Sequence, residues 1–283
     1  MNSYRPQQFS TLPMVIKNLI IINVLFFLAS LAFQNVTGGD LSDYVGLHYP
    51  IASQFMPYQF FSYMFMHASF SHLFFNMFAL WMFGNVLENI WGPKKFLIYF
   101  FVTGIGAALT HYVIFYFQIS PTISAIDSYI AKPSTETFAA FTNSQYFSIS
   151  SIEIQKAFNV FVQKYNTLLA SNPRQAVAES VNFMYQYREA VLNAPVVVGA
   201  SGAVFGVLLA FGMMFPDSLI YLYFFIPIKA KWFVVIYGAI ELFSGVAGIA
   251  GDNVAHFAHL GGMISGFALL YYWNMKAKKK KIF

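Results

Sequence analysis

VVVGASGAVFGVLLAFGMMF, residues 196–215, is apolar over the length a bilayer requires, and its one hydroxyl, Ser201, sits between Gly199 and Gly202. A hydrocarbon core about 30 Å thick takes about 20 mostly apolar residues of helix. The stretch therefore reads as a membrane span. The composition agrees, since the 283 residues are 58% hydrophobic and only 10% charged, where a soluble domain carries roughly 25%. Five further runs of this kind lie near 14–33, 71–91, 96–118, 232–250 and 254–273. The expected fold class is an all-α membrane protein with a bundle of six transmembrane helices.

Charge sets the expected orientation. With six spans, Arg5, Lys17, Lys94, Lys95, Lys229, Lys231, Lys276 and the run Lys278 to Lys281 fall on one side, which is then cytoplasmic. The net charge of +5 is thus a topology anchor at lipid headgroups, and no nucleic-acid partner is expected. The chain has no Cys, which excludes disulfides and thiolate metal ligands. The first run follows Lys17 but no small-x-small cleavage site follows it, so it reads as a span and not as a signal peptide.

The expected organisation is a short cytoplasmic tail at 1–13, helices one to three with the first outer loop at 14–118, a non-cytoplasmic insert at 119–195, helices four to six at 196–273, and a basic cytoplasmic tail at 274–283. Within the insert, Ile154, Phe158, Phe161, Tyr165 and Leu168 recur at helical spacing. Ser171-Asn172-Pro173 breaks the pattern. A second helix then places Val177, Val181, Met184, Tyr187 and Val191 on one face and ends at Pro195. The pair reads as antiparallel helices over or beside the bundle, able to cover the mouth of a site, while the Ser- and Thr-rich stretch 120–150 reads as irregular. No tandem repeat or inverted symmetry is visible, which weighs against a repeat-built transporter.

Ionisable side chains inside a bilayer are costly and invite a functional reading. Here they cluster. The second span opens with His67, His72 and Asn76, the sixth with His256 and His259, and the fourth with Ser201. All three openings lie on the non-cytoplasmic side of the six-span topology. His72 and Asn76, four apart, share a helix face. Ser201 falls in the first turns of its helix, where backbone N–H groups lack acceptors and the dipole favours negative charge. A serine beside a histidine can act as nucleophile and general base, and free N–H groups with an amide such as Asn76 can hold an oxyanion. No Asp or Glu accompanies these residues in the sequence. The expected site is therefore a Ser/His dyad whose His is oriented by packing or stacking, with His256 and His259 both open as the base. Small residues let helices approach closely, and Gly199, Ala203 and Gly206 on the fourth span face that role with Gly262 and Gly266 on the sixth.

These residues together resemble the rhomboid family of intramembrane serine proteases. A GxSG motif stands as Gly199-Ala200-Ser201-Gly202, HxxxxHxxxN as His67, His72 and Asn76, AHxxGxxxG as Ala258, His259, Gly262 and Gly266, and GxxxExxxG as Gly84, Glu88 and Gly92. Order, spacing and span position agree over about 200 residues, with only the insert outside. The resemblance implies a six-helix rhomboid bundle in which Ser201 is the nucleophile and His259, rather than His256, the base. It also implies an oxyanion hole of His72, Asn76 and the Ser201 N–H, with His67, His256 and Glu88 in support. The implied partners are transmembrane protein substrates, entering laterally past span five from the lipid bilayer. No cofactor and no metal are implied, and the implied setting is a bacterial inner membrane with both termini cytoplasmic. The first outer loop departs from the family, with Gln59-Phe60-Phe61-Ser62 where a Trp-Arg pair is frequent.

Three rival readings stand beside this one. Four of the six His lie at the site, so a histidine metal centre is one, although no spare carboxylate is apparent. A channel or transporter is another, with Glu241 in the fifth span its best support. The third is a catalytically inactive relative that binds membrane helices as an adaptor. His111 in the third span and Glu88 near the end of the second read as structural.

Overall fold

The computed structural model describes residues 10–149, 152–194, 196–222, 225–247 and 254–280. Arg5, Pro195, the 248–250 end of the fifth run and the side chains of Lys278 to Lys281 lie outside the described part. The helices used below are α1 Met14–Thr37, α2 Phe70–Trp91, α3 Pro93–Ala131, α4 Thr135–Thr142, α5 Ile152–Ser171, α6 Pro173–Asn193, α7 Ser201–Met214, α8 Ala230–Ala247 and α9 His256–Lys280. Between α7 and α8 an antiparallel hairpin pairs β1 Leu219–Leu222 with β2 Ile226–Lys229, Leu219 opposite Lys229.

Among the described residues, α1, α2, α3 and α8 are long and apolar enough to cross a membrane, and the chain is an integral membrane protein. The six runs do not all become spans of the expected extent. The fourth is the clearest correction: residues 196–200 are not helical, and α7 has 14 residues, about 21 Å at 1.5 Å per residue. Val197 instead bridges Leu47 in antiparallel fashion, with Leu47 N–H donating to Val197 O at 2.9 Å and Val197 N–H to Leu47 O at 3.0 Å. Gly199 then turns the chain at φ +124°, a backbone region that side chains disfavour.

The third run differs too. Helix α3 passes 118 and continues through Pro121 to Ala131, and α4 follows. The stretch expected to be irregular is thus largely helical. Its hydroxyls are absorbed by the helix itself: Ser120 and Ser128 donate to the carbonyls of Tyr116 and Ser124, the back-bonding open to Ser within helices. Helix α4 opens on a reciprocal box in which Ser134 Oγ accepts from Thr137 N–H and Thr137 Oγ1 from Ser134 N–H.

The chain divides into two compact units. One comprises Met1–Leu47, Met56–Tyr112 and Val197–Phe283; the other His48–Phe55 and Val113–Val196. In the first, the start of α1 is capped from α2. Glu88 is buried, and its two oxygens accept the N–H groups of Val15 at 2.9 Å and Ile16 at 2.8 Å. These are first-turn donors with no intrahelical acceptor, and Pro13 at the cap position offers no side-chain bond. Asn85 and Asn89 extend the latch, donating to the carbonyls of Thr11 and Ser10.

In the second unit, α5 and α6 are separated by Asn172 alone, whose side chain accepts from Gln175 N–H. Ile154, Phe161 and Tyr165 of α5 are buried. On α6 the buried residues are Ala176, Ser180, Phe183, Met184, Tyr187 and Leu192. The expected face through Val177, Val181 and Val191 is therefore rotated, and those valines are only partly buried. The reason is ring packing: Phe183 stacks on Phe161 at 4.4 Å, and a buried phenyl removes more area from water than a valine. Ser180 joins this face because its hydroxyl pairs with that of Tyr129.

Candidate active site

Ser201 is the first residue of α7. The approach to it is fixed by backbone: the Leu47 bridge holds Val197, and Gly199 N–H donates to Tyr63 O at 2.9 Å. The first intrahelical bond of α7 runs from Val204 N–H to Ala200 O. The N–H groups of Ser201, Gly202 and Ala203 therefore have no intrahelical acceptor, at the end of the helix where partial positive charge gathers.

His259 lies in the first turn of α9. Its Nε2 is 2.8 Å from Ser201 Oγ, and its ring lies flat on Phe205, with centroids 4.3 Å apart and planes within 6°. Phe205 is four residues after Ser201 and so shares its face of α7. The two helices approach at backbone contact. A Cβ built at Gly262 would overlap the carbonyl oxygen of Gly202 and lie 2.7 Å from its carbonyl carbon. One built at Gly202 would meet Ala107 on α3. Farther along α7, a Cβ built at Gly206 would lie 2.6 Å from Thr103, and the Gly206 carbonyl accepts from Tyr99, which also fills the space beside Gly266.

The expectation that no carboxylate accompanies the pair is overturned. Glu241 on α8 is buried, and its Oε2 lies 2.8 Å from Nδ1 of His259 and 2.7 Å from Nδ1 of His256. It lies 18 residues before His259, so sequence adjacency gave no hint. An available signal was physical: a carboxylate in an apolar helix needs donors, and His256 and His259, three apart on one helix face, are suited to share it. Phe205 and Tyr63 were likewise unrecognised, one orienting the His259 ring and the other holding Gly199.

His72 stands on the other side of Ser201. A Cβ built at Gly199 would lie 2.8 Å from His72 Cε1, 2.9 Å from Nε2 and 3.6 Å from Ser201 Oγ. The imidazole and the hydroxyl thus flank one glycine. Asn76 is buried, and its Nδ2 donates to His72 O at 3.0 Å, leaving the second amide hydrogen for another acceptor. His67 is buried with its ring edge-on to His72 at 4.9 Å. Glu88 is not brought to this site, because both of its oxygens cap α1.

Glu241, His256 and His259 offer ligand atoms within 4.8 Å of one another, so the carboxylate that the metal reading lacked is present. A cation there would take Nδ1 of His259 and replace both hydrogen bonds to Glu241.

The sequence profile of the Rhomboid domain matches residues 54–124 and 167–275, more than half of the chain. No curated protein matches the sequence.

Proposed function

Because the chain belongs to the rhomboid family, which includes serine proteases, we propose that it is an intramembrane serine endopeptidase cleaving peptide bonds in or beside transmembrane segments of other proteins. The observation that carries the reading is the 2.8 Å contact between Ser201 Oγ and His259 Nε2 at the first residue of α7. In this reading six helices cross the bilayer, the short α7 among them, with both termini cytoplasmic and the serine toward the opposite side.

Ser201 Oγ attacks the scissile carbonyl carbon while its proton passes to His259 Nε2. The Oγ–C bond forms, and the carbonyl π electrons move to oxygen. The oxyanion is stabilised by the Ser201 N–H, the remaining amide hydrogen of Asn76 and His72, donors already in place before charge develops. Collapse breaks the C–N bond, and the amine departs with the proton from His259. Water then adds to the acyl-enzyme with His259 again as base, releasing the acid and restoring Ser201.

Inactive relatives that act as adaptors typically lack the serine or the base, and both stand here in contact. The experiment is labelling with a serine-reactive fluorophosphonate together with cleavage of a model transmembrane substrate, comparing wild type with Ser201→Ala and His259→Ala. Wild type labels and cleaves, while each variant folds but does neither. Cleavage by either variant at the wild-type rate overturns the assignment.

A further inference from the structure

Glu241 is a buried carboxylate on a helix whose neighbouring side chains, Ile240, Leu242 and Phe243, are exposed and apolar. Removing a carboxylate from water costs several kcal/mol unless donors replace the water. Two imidazoles do so on the same oxygen, His259 at 2.8 Å and His256 at 2.7 Å.

With Glu241 ionised, the arrangement decides where the hydrogens sit. An ionised carboxylate only accepts, so Nδ1 of His259 carries its hydrogen. In the neutral ring the lone pair is then on Nε2, the atom 2.8 Å from Ser201 Oγ. That is the tautomer a general base requires. The other tautomer would point an N–H at the hydroxyl and could not take its proton. Stacking on Phe205 fixes the plane of the ring but is indifferent to which nitrogen holds the hydrogen. The carboxylate supplies what the stacking cannot.

We infer that Glu241 is a positioning residue that completes a Ser201–His259–Glu241 triad, with His256 as the second donor that keeps the carboxylate oriented toward His259. The inference rests on the serine-protease reading above. Glu241 touches no reacting atom. When Ser201 gives up its proton to Nε2, the imidazolium faces a negative charge across the Nδ1–H bond, and the proton on Nδ1 stays where it is. The hydrogen bond strengthens as charge develops on the ring, so the effect falls on the chemical step and not on substrate binding.

The test uses the full-length protein in proteoliposomes with a transmembrane peptide substrate, measuring kcat and KM for wild type, Glu241→Gln, Glu241→Asp and Ser201→Ala. Glutamine keeps the size of the side chain and removes the charge. Loss of the orienting carboxylate in a serine triad lowers kcat by about 10⁴-fold. For Glu241→Gln the expected fall in kcat is roughly 10²- to 10⁴-fold, with KM within about threefold and the thermal unfolding midpoint held. Glu241→Asp, which retains the charge, recovers part of the rate. Should Glu241→Gln fail to fold, a Glu241→Asp variant that folds and still turns over faster than Glu241→Ala carries the same conclusion.

Wild-type kcat in Glu241→Gln with Ser201→Ala inactive overturns the triad and leaves the protease. Wild-type cleavage by Ser201→Ala overturns the protease reading itself. Loss of wild-type activity on treatment with a chelator, restored by added zinc alone, also overturns the inference, because Nδ1 of His259 would then hold a metal in place of its hydrogen.

Discussion

The two compact units of this chain differ in how their helices meet. In the unit that holds Ser201, helices meet through small residues. Gly202 and Gly262 touch backbone to backbone, and Gly206 and Gly266 receive Thr103 and Tyr99. Phe96, Tyr99, Phe100 and Leu80 are buried there, while other large apolar side chains are turned outward, as Leu25 and Leu28 on α1 and Val235, Phe243 and Val246 on α8 are. In the unit containing α4 to α6 the rings point inward. Phe138, Phe141, Phe161, Tyr165, Phe183 and Tyr187 form a buried aromatic cluster, and ion pairs such as Lys164 with Glu179 lie outside. In the proposed topology the two units face different solvents, lipid for the first and water for the second. Lipid is as apolar as leucine, so close packing and polar contacts rather than the hydrophobic effect select the helix contacts of the first unit. Water expels rings from the surface of the second. Close packing also suits the proposed chemistry, since backbone contact between α7 and α9 brings Ser201 within hydrogen-bond distance of His259.

The contrast predicts where each unit breaks. Gly262→Val carries the largest effect. Its branched side chain cannot coexist with the Gly202 carbonyl, so α7 and α9 must separate, and a misplacement of about 1 Å at a reacting pair costs about 10²-fold in rate. Probe labelling and cleavage should fall at least that far, and wild-type turnover would show that the glycine contact is not what sets the Ser201–His259 distance. Phe183→Ala comes next. It should cost about 3 to 5 kcal/mol of local stability, read as faster hydrogen exchange across Ile152–Asn193, while labelling of Ser201 stays within about twofold. Unchanged exchange would mean that the aromatic cluster does not hold its unit together. Lys164→Ala is smallest. The pair with Glu179 is exposed, and such pairs contribute about 0.2 to 1 kcal/mol, screened by salt; a change in unfolding midpoint larger than a few degrees would contradict the surface role.

Much of the molecule was legible in the sequence, for identifiable reasons. The runs of apolar residues report membrane helices because length and hydropathy are properties of the chain alone. The spacing of His67, His72 and Asn76 placed two of them on one helix face, and the structure sets His72 beside Gly199 and Ser201. Boundaries were less legible. The run 196–215 is uniformly apolar, so hydropathy could not tell its strand-like opening from its helix, and only the Leu47 bridge and the turn at Gly199 put Ser201 at the first helical position. In 120–150, Ser and Thr content suggested irregular chain, but hydroxyls that bond back to their own helix leave the helix intact.

The sequence by itself determined the membrane class and the family motifs, because these depend on composition or on spacing within one helix, and it left His256 and His259 both open as the partner of Ser201. Tertiary structure alone decided the carboxylate. Glu241 is an isolated acid in an apolar helix until α8 and α9 are packed, and only then do two imidazoles reach one of its oxygens. A hydrogen bond between helices depends on where their axes cross, and that is set by the whole of the packing rather than by any local stretch of chain.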